Sequence, residues 1–293
     1  MEGARKARGS GTADTVVRML APRTLAPVAR AEGIACGPDS ALYACDDSGR
    51  VFRIDPDGGG ATLVATIDGW GLGLACDGAG HLFVCTSGPE AVVRVELETG
   101  AFETWSSAAG GTPFRLPNYP VFAPDGTLYV SDSGPETPGA LNGRVVAVPP
   151  GGGEATVVAD GFDYSNGLAL TPDGTLYVVE TYDNPGVTAL SLADGSRRRV
   201  ADLPRTVPDG IALCYDGALL VSCFQPNRIY RVPAGGGEPE LVLDDWRGLQ
   251  ALTPTNIAFF GPGGSRLAIA SLTGWQLSWA DTPWRGQPLN YPG

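Results

Sequence analysis

Apolar residues along this chain fall in short, nearly unbroken runs, punctuated by Pro, Asp and Gly, and one pattern recurs six times. Each copy has a lead residue, a short apolar strand, a Pro-Asp-Gly-like turn and a second apolar strand. The copies begin at Glu32 (EGIACGPDSALYACD), Leu72 (LGLACDGAGHLFVCT), Asn118 (NYPVFAPDGTLYVSD), Asn166 (NGLALTPDGTLYVVE), Asp209 (DGIALCYDGALLVSC) and Asn256 (NIAFFGPGGSRLAIAS). Their leads stand 40, 46, 48, 43 and 47 residues apart. In Pro124-Asp125-Gly126 and Pro172-Asp173-Gly174 the proline sets φ and the glycine accepts a positive φ, so each is a tight turn between two strands. The runs after the turns, such as Leu128-Tyr129-Val130 and Leu176-Tyr177-Val178, are apolar on both faces, as in a sheet covered on both sides.

Further runs supply a third strand (Gly49–Ile54, Asn227–Val232) and a fourth (Ala61–Val64). Four strands in roughly 45 residues, repeated, is the unit of a propeller blade. No stretch shows helical periodicity long enough for an α/β fold. The prediction is all-β: a six-bladed β-propeller forming a single domain over residues 15–293, preceded by a flexible tail over 1–14. The last repeat runs short of chain, so one outer strand is expected from Val16 to Val28.

Composition narrows the function. Forty-two glycines and 25 prolines fit many short strands and turns, and 43% hydrophobic residues supply a full core. A net charge of −12 with only 20 basic residues excludes the dense cationic surface that nucleic-acid binding needs. No run of 18 apolar residues is present and no apolar stretch follows Arg5, Lys6 and Arg8, so the reading is cytoplasmic, without a membrane partner. The six cysteines fall in pairs nine residues apart (Cys36/Cys45, Cys76/Cys85, Cys214/Cys223). That spacing offsets the two members of each pair along a hairpin, so six buried, reduced thiols are expected.

In a propeller the first strand of each blade lines the central channel, so equivalent positions form a ring. The lead position reads Glu32, Leu72, Asn118, Asn166, Asp209, Asn256, and five of the six end in oxygen. Two carboxylates and neutral amides suit a hard divalent cation, and the absence of Cys and His at this level argues against softer metals. The alternative is that Asn166-Gly167 and Asp209-Gly210 are ordinary turn signals. It accounts poorly for Glu32 and for Asn118.

Taken together, Glu32-Gly33, Asn118, Asn166-Gly167-Leu168-Ala169, Pro208-Asp209-Gly210-Ile211-Ala212 and Thr255-Asn256-Ile257-Ala258-Phe259 resemble the SMP-30/gluconolactonase/luciferin-regenerating family over nearly the whole chain. The resemblance implies a divalent metal, most often calcium with Zn2+, Mg2+ or Mn2+ as alternatives, held by Glu32, Asn166 and Asp209. It assigns Asn118 to substrate contact. The third blade departs from the family's Arg-x-Asn-Asp: here Arg115 is one residue out of register and Tyr119 takes the place of the acid.

Aromatics just before the leads (Trp70, Phe114, Phe162, Tyr164, Trp246) and Leu72 in the ring suggest apolar walls, unless some of them pack between blades. The expected activity is therefore metal-dependent hydrolysis of a cyclic ester less polar than a sugar lactone. Asp209 is ligand and general base, Asn118 is the second catalytic residue, and Arg115, Tyr119, Trp70, Tyr164 and Asn256 are further substrate contacts. Lyase, isomerase or cyclase chemistry on the same metal, or a non-catalytic binding propeller, are the other readings. His81, the only histidine, lies in a turn away from the ring, which leaves a Ser-His-Asp triad without a base. Glu180 is expected to be a structural acid.

Overall fold

A computed structural model describes residues 19–293, so the tail expected over 1–14 lies outside the described residues. Six four-stranded antiparallel sheets are arranged as a six-bladed β-propeller. The inner strands are Ala31–Cys36, Trp70–Cys76, Pro117–Phe122, Ser165–Leu170, Val207–Leu213 and Pro254–Phe260. Each touches the next, and the sixth returns to the first, closing the channel wall. Five blades are continuous in sequence. The sixth takes its outermost strand, Arg23–Ala26, from the start of the described chain, where it pairs with Leu277–Asp281. The ring is therefore closed by hydrogen bonds between the two ends of the chain, inside the range expected from sequence.

The core is divided into layers between neighbouring blades, which explains the unbroken apolar strands. Along His81–Ser87, Leu82 and Val84 pack toward the first blade, while Phe83 and Cys85 pack toward the third. Leu176 and Val178 likewise face the third blade while Tyr177 and Val179 face the fifth. Successive side chains of a strand alternate faces, and here both faces are core. All six cysteines are buried and reduced.

One feature has no counterpart in the repeat. After the last strand, the chain runs from Trp284 to Pro292 across the lower end of the channel, the end carrying the Pro-Asp-Gly turns. Tyr215 N donates to Arg285 O at 2.8 Å and Gln287 N to Leu213 O at 2.8 Å. Farther on, Asn290 Nδ2 donates to Phe122 O at 2.8 Å and the Tyr291 hydroxyl to Cys36 O at 2.9 Å. This strap thus spans from the fifth blade to the third and first.

Candidate functional site

At the upper end, every inner strand slips register at its lead position. The irregularities fall between Ala31 and Gly33, Gly71 and Leu74, Pro117 and Tyr119, Ser165 and Leu168, Pro208 and Ile211, and Pro254 and Ile257. A bulge breaks the alternation of faces and re-aims a side chain. Six equivalent bulges bring Glu32, Asn118, Asn166, Asp209 and Asn256 to one level, and all five are buried.

The glycines after the leads are not turn residues. Gly167 and Gly210 lie inside strands without positive φ. A Cβ on Gly167 would fall 2.6 Å from Asp209 O, and one on Gly210 would fall 2.6 Å from Thr255 O. Gly33 and Gly73 meet the backbones of Leu72 and Asn118 in the same way. The motif glycine is where one blade's backbone touches the next blade's lead, so the turn reading of Asn-Gly and Asp-Gly does not hold.

A cavity of about 530 Å³ stands over this level. Glu32, Asn118, Asn166 and Asp209, with Ser87, Thr181 and Gln225, form its polar part; Trp70, Leu72, Tyr164, Tyr182, Phe224 and Leu272 supply most of its apolar wall. No Lys, Arg or His lines it. Glu32 Oε2, Asn118 Oδ1, Asn166 Oδ1, Asp209 Oδ1 and Asn256 Oδ1 are all buried without a hydrogen-bond partner. Unpartnered buried oxygens are costly and rare; five at one level need a common explanation. Among the described residues no three His, Cys, Asp or Glu side chains cluster, so a cation here would rest on two carboxylates and amides.

Burial, followed by the charge of Asp209, pushes the Glu32 carboxyl well above its ordinary range. Burial pushes Asp209 up to about 7. Thr181 orients Asn166: the Asn166 Nδ2 donates to Thr181 Oγ1 at 3.4 Å, and that hydroxyl donates to Pro208 O at 2.9 Å. The amide oxygen is left free. Tyr164 and Tyr182 meet edge-on with ring centroids 4.8 Å apart.

The structure gathers Glu32, Asn118, Asn166, Asp209, Trp70 and Tyr164 around the cavity, and sets Asn256 at their level without lining it. Arg115 and Tyr119 do not line it. The Arg115 side chain turns outward, where Nη2 donates to Asn142 O at 2.5 Å and Nε lies 3.8 Å from the buried Asp132 carboxylate; Leu116 takes the wall instead. Tyr119 follows the bulge at Asn118 and packs into the layer between the third and fourth blades, facing the lower half of the channel. Phe114 and Phe162 are core, and Trp246 is 77% exposed.

Residues missed by sequence reasoning are Ser87, Thr181, Tyr182, Phe224, Gln225 and Leu272. Each sits at or just beyond the end of a second strand, which returns antiparallel to ring level; Ser165 pairs with Glu180, for example. A spacing of 15 residues from Leu72, Asn166 and Asp209 to Ser87, Thr181 and Phe224 was the available signal. Glu180 accepts from Asp163 N, Thr188 Oγ1 and Arg199 Nη1 and is structural. His81 is held between Asp77 and Glu96, outside the cavity.

The fold and site define a six-bladed propeller with an oxygen-rich, aromatic-walled chamber at one end of its channel. The model of the SMP-30/Gluconolactonase/LRE-like region matches residues 30–273, and the chain belongs to that family. Similar solved structures include a gluconolactonase of Xanthomonas campestris (25% identity, 93% of this chain and 94% of that one, TM-score 0.77). Others are the calcium-binding protein regucalcin of Agrobacterium tumefaciens (17%, 94% and 97%, 0.75) and a luciferin-regenerating enzyme (16%, 93% and 99%, 0.73). The last two speak to the fold alone. No curated protein matches the sequence.

Proposed function

We propose that this protein is a divalent-metal-dependent hydrolase of cyclic esters, acting on a neutral substrate less polar than a sugar lactone. The observation that carries the reading is the set of five unpartnered buried oxygens beneath an aromatic-walled cavity. Glu32, Asn166 and Asp209 would hold the ion, and their oxygen-only donor set suits calcium best. When bound, such an ion supplies positive charge for a developing oxyanion and acidifies water.

The chain's own residues do the rest. Asp209 is the general base of this reading; burial raises its carboxyl in the metal-free chain, and beside a bound ion it would be held ionised and ready to accept the proton of an attacking water. The Asn118 amide orients the ester, and Thr181 keeps the Asn166 oxygen turned inward. Trp70, Tyr164 and Phe224 hold an apolar ring or chain and keep bulk water out. No cationic side chain lines the cavity, so apart from the ion itself nothing there would pair with an anionic group. Six reduced thiols fit a reducing compartment, and we place the protein in the cytoplasm.

The test is a hydrolysis screen over lactones of graded polarity, with chelator and with calcium restored. Turnover should vanish with chelator, return with calcium, and favour aryl- or alkyl-substituted lactones over gluconolactone. Unchanged turnover in chelator would refute the metal requirement. Products formed without added water would move the chemistry to a lyase or cyclase on the same scaffold.

A further inference from the structure

The lower half of the channel holds a second cavity, of about 500 Å³, which shares no lining residue with the first. Its walls continue the inner strands below the ring, through Ile34, Leu74, Leu168, Ile211 and Ile257, and the strap forms its floor. The volume is that of a small-molecule site. Two features separate it from a simple packing defect. First, its mouth carries exposed apolar side chains: Tyr215 is 72% and Leu289 50% exposed, and both line the cavity. Second, its charge is one-sided.

In a chain with 32 acidic residues, the lining contains no Asp or Glu and one cation, Arg285. Among the described residues the Arg285 side chain has neither an ion-pair partner nor a hydrogen bond; only its backbone oxygen is engaged, by Tyr215 N. The acids that flank lining residues are engaged elsewhere: Asp39, between Pro38 and Ser40, faces Arg53 at 3.5 Å, and Asp216, beside Tyr215, pairs with Arg231 at 2.6 Å. A planar guanidinium at the rim of an apolar chamber matches a carboxylate whose remaining body is apolar.

We propose that this lower chamber is a second binding site, for an amphipathic monocarboxylate, with the apolar chain or ring inserted under the ring and the carboxylate at Arg285. The strap floors the chamber, and its hydrogen bonds with Tyr215, Leu213, Gly264, Phe122, Cys36 and Gly78 are the contacts that entry past it would loosen.

Octanoate is the probe, with 1-octanol as the uncharged match, in calorimetric titrations of the full chain. Octanoate should bind once per chain and more tightly than 1-octanol. Arg285→Gln should weaken octanoate by about tenfold or more, the scale of a lost charge-assisted contact, and leave 1-octanol unchanged. Leu213→Trp, which fills the chamber, should abolish both. If that variant fails to fold, amide exchange across Arg285–Tyr291 in the unaltered protein takes its place, and octanoate should slow it. Asp209→Asn should bind octanoate as before, since Asp209 belongs to the other cavity. Equal affinity for acid and alcohol, indifference to Arg285→Gln, unchanged exchange in the strap, or loss of octanoate in Asp209→Asn would each overturn the proposal.

Discussion

At the scale of single residues, Glu32 and Asp209 bring two opposing effects together. Without a cation their burial and proximity favour protonation, and a buried charge costs stability. Glu32→Gln or Asp209→Asn should therefore raise the melting temperature in chelator. The same changes should shrink the stabilisation that calcium confers by mass action. Thermal melts in chelator and in calcium read both effects; a variant that melts lower in chelator and keeps the full calcium shift would remove these carboxylates from the ion site. Asp209→Asn should also cut turnover at saturating calcium by roughly 10²–10⁴, the range for loss of a general base. Full turnover with metal retained would show that another group takes the proton. Asn118→Ala, by contrast, should raise KM or lower kcat while calcium affinity stays, because its place in the reading is on the substrate.

At the scale of the strand, the site depends on bulges and on the glycines that let blades touch. Gly167→Ala would set a Cβ 2.6 Å from Asp209 O and 3.0 Å from Ile211 N, both backbone atoms that cannot swing aside. A loss of about 1–3 kcal/mol is expected from such overpacking, with weaker calcium binding because Asp209 itself must shift. Gly151→Ala, with nothing within 4 Å and no positive φ, is the control and should be nearly neutral. Equal denaturation midpoints for the two variants would refute the close-approach account. The same strands show how much the sequence discloses. The leads were legible because turn chemistry and apolar runs fix the repeat, and equivalent positions in a propeller must share a level. Arg115 was not, since its direction is set by Asp132, 17 residues onward, and by the Asn142 carbonyl. Tyr119 was lost to the bulge, which reverses the face that simple alternation assigns. Tyr182 and Phe224 needed the hairpin register, which depends on the bulge as well.

At the scale of the whole molecule, the ion would act as a fastener at the point where all six blades converge, and pH should reveal it. Both buried carboxyls have folded pKa values above their unfolded ones, near 4, and for Asp209 the folded value is about 7. The folded, metal-free chain therefore holds more protons than the unfolded chain between those limits. Stability from these groups is fully present below about pH 4; the Asp209 share is lost as pH rises through about 7, and the Glu32 share as pH rises through its own raised value. Calcium competes with the same protons, so its stabilisation should grow over that window. Asp173 shifts the other way, first through the hydrogen bond from Thr171, and Asp245, against its own burial, is also lowered by hydrogen bonds from the backbone of Ala251 and Gln250. The informative quantity is therefore the difference between the unaltered protein and Asp209→Asn. In chelator, the unaltered protein should lose melting temperature relative to Asp209→Asn between pH 5 and pH 8. In calcium it should gain relative to the variant over the same range. A difference that stays flat with pH in both conditions would mean that the two carboxylates are not linked to the closure of the ring.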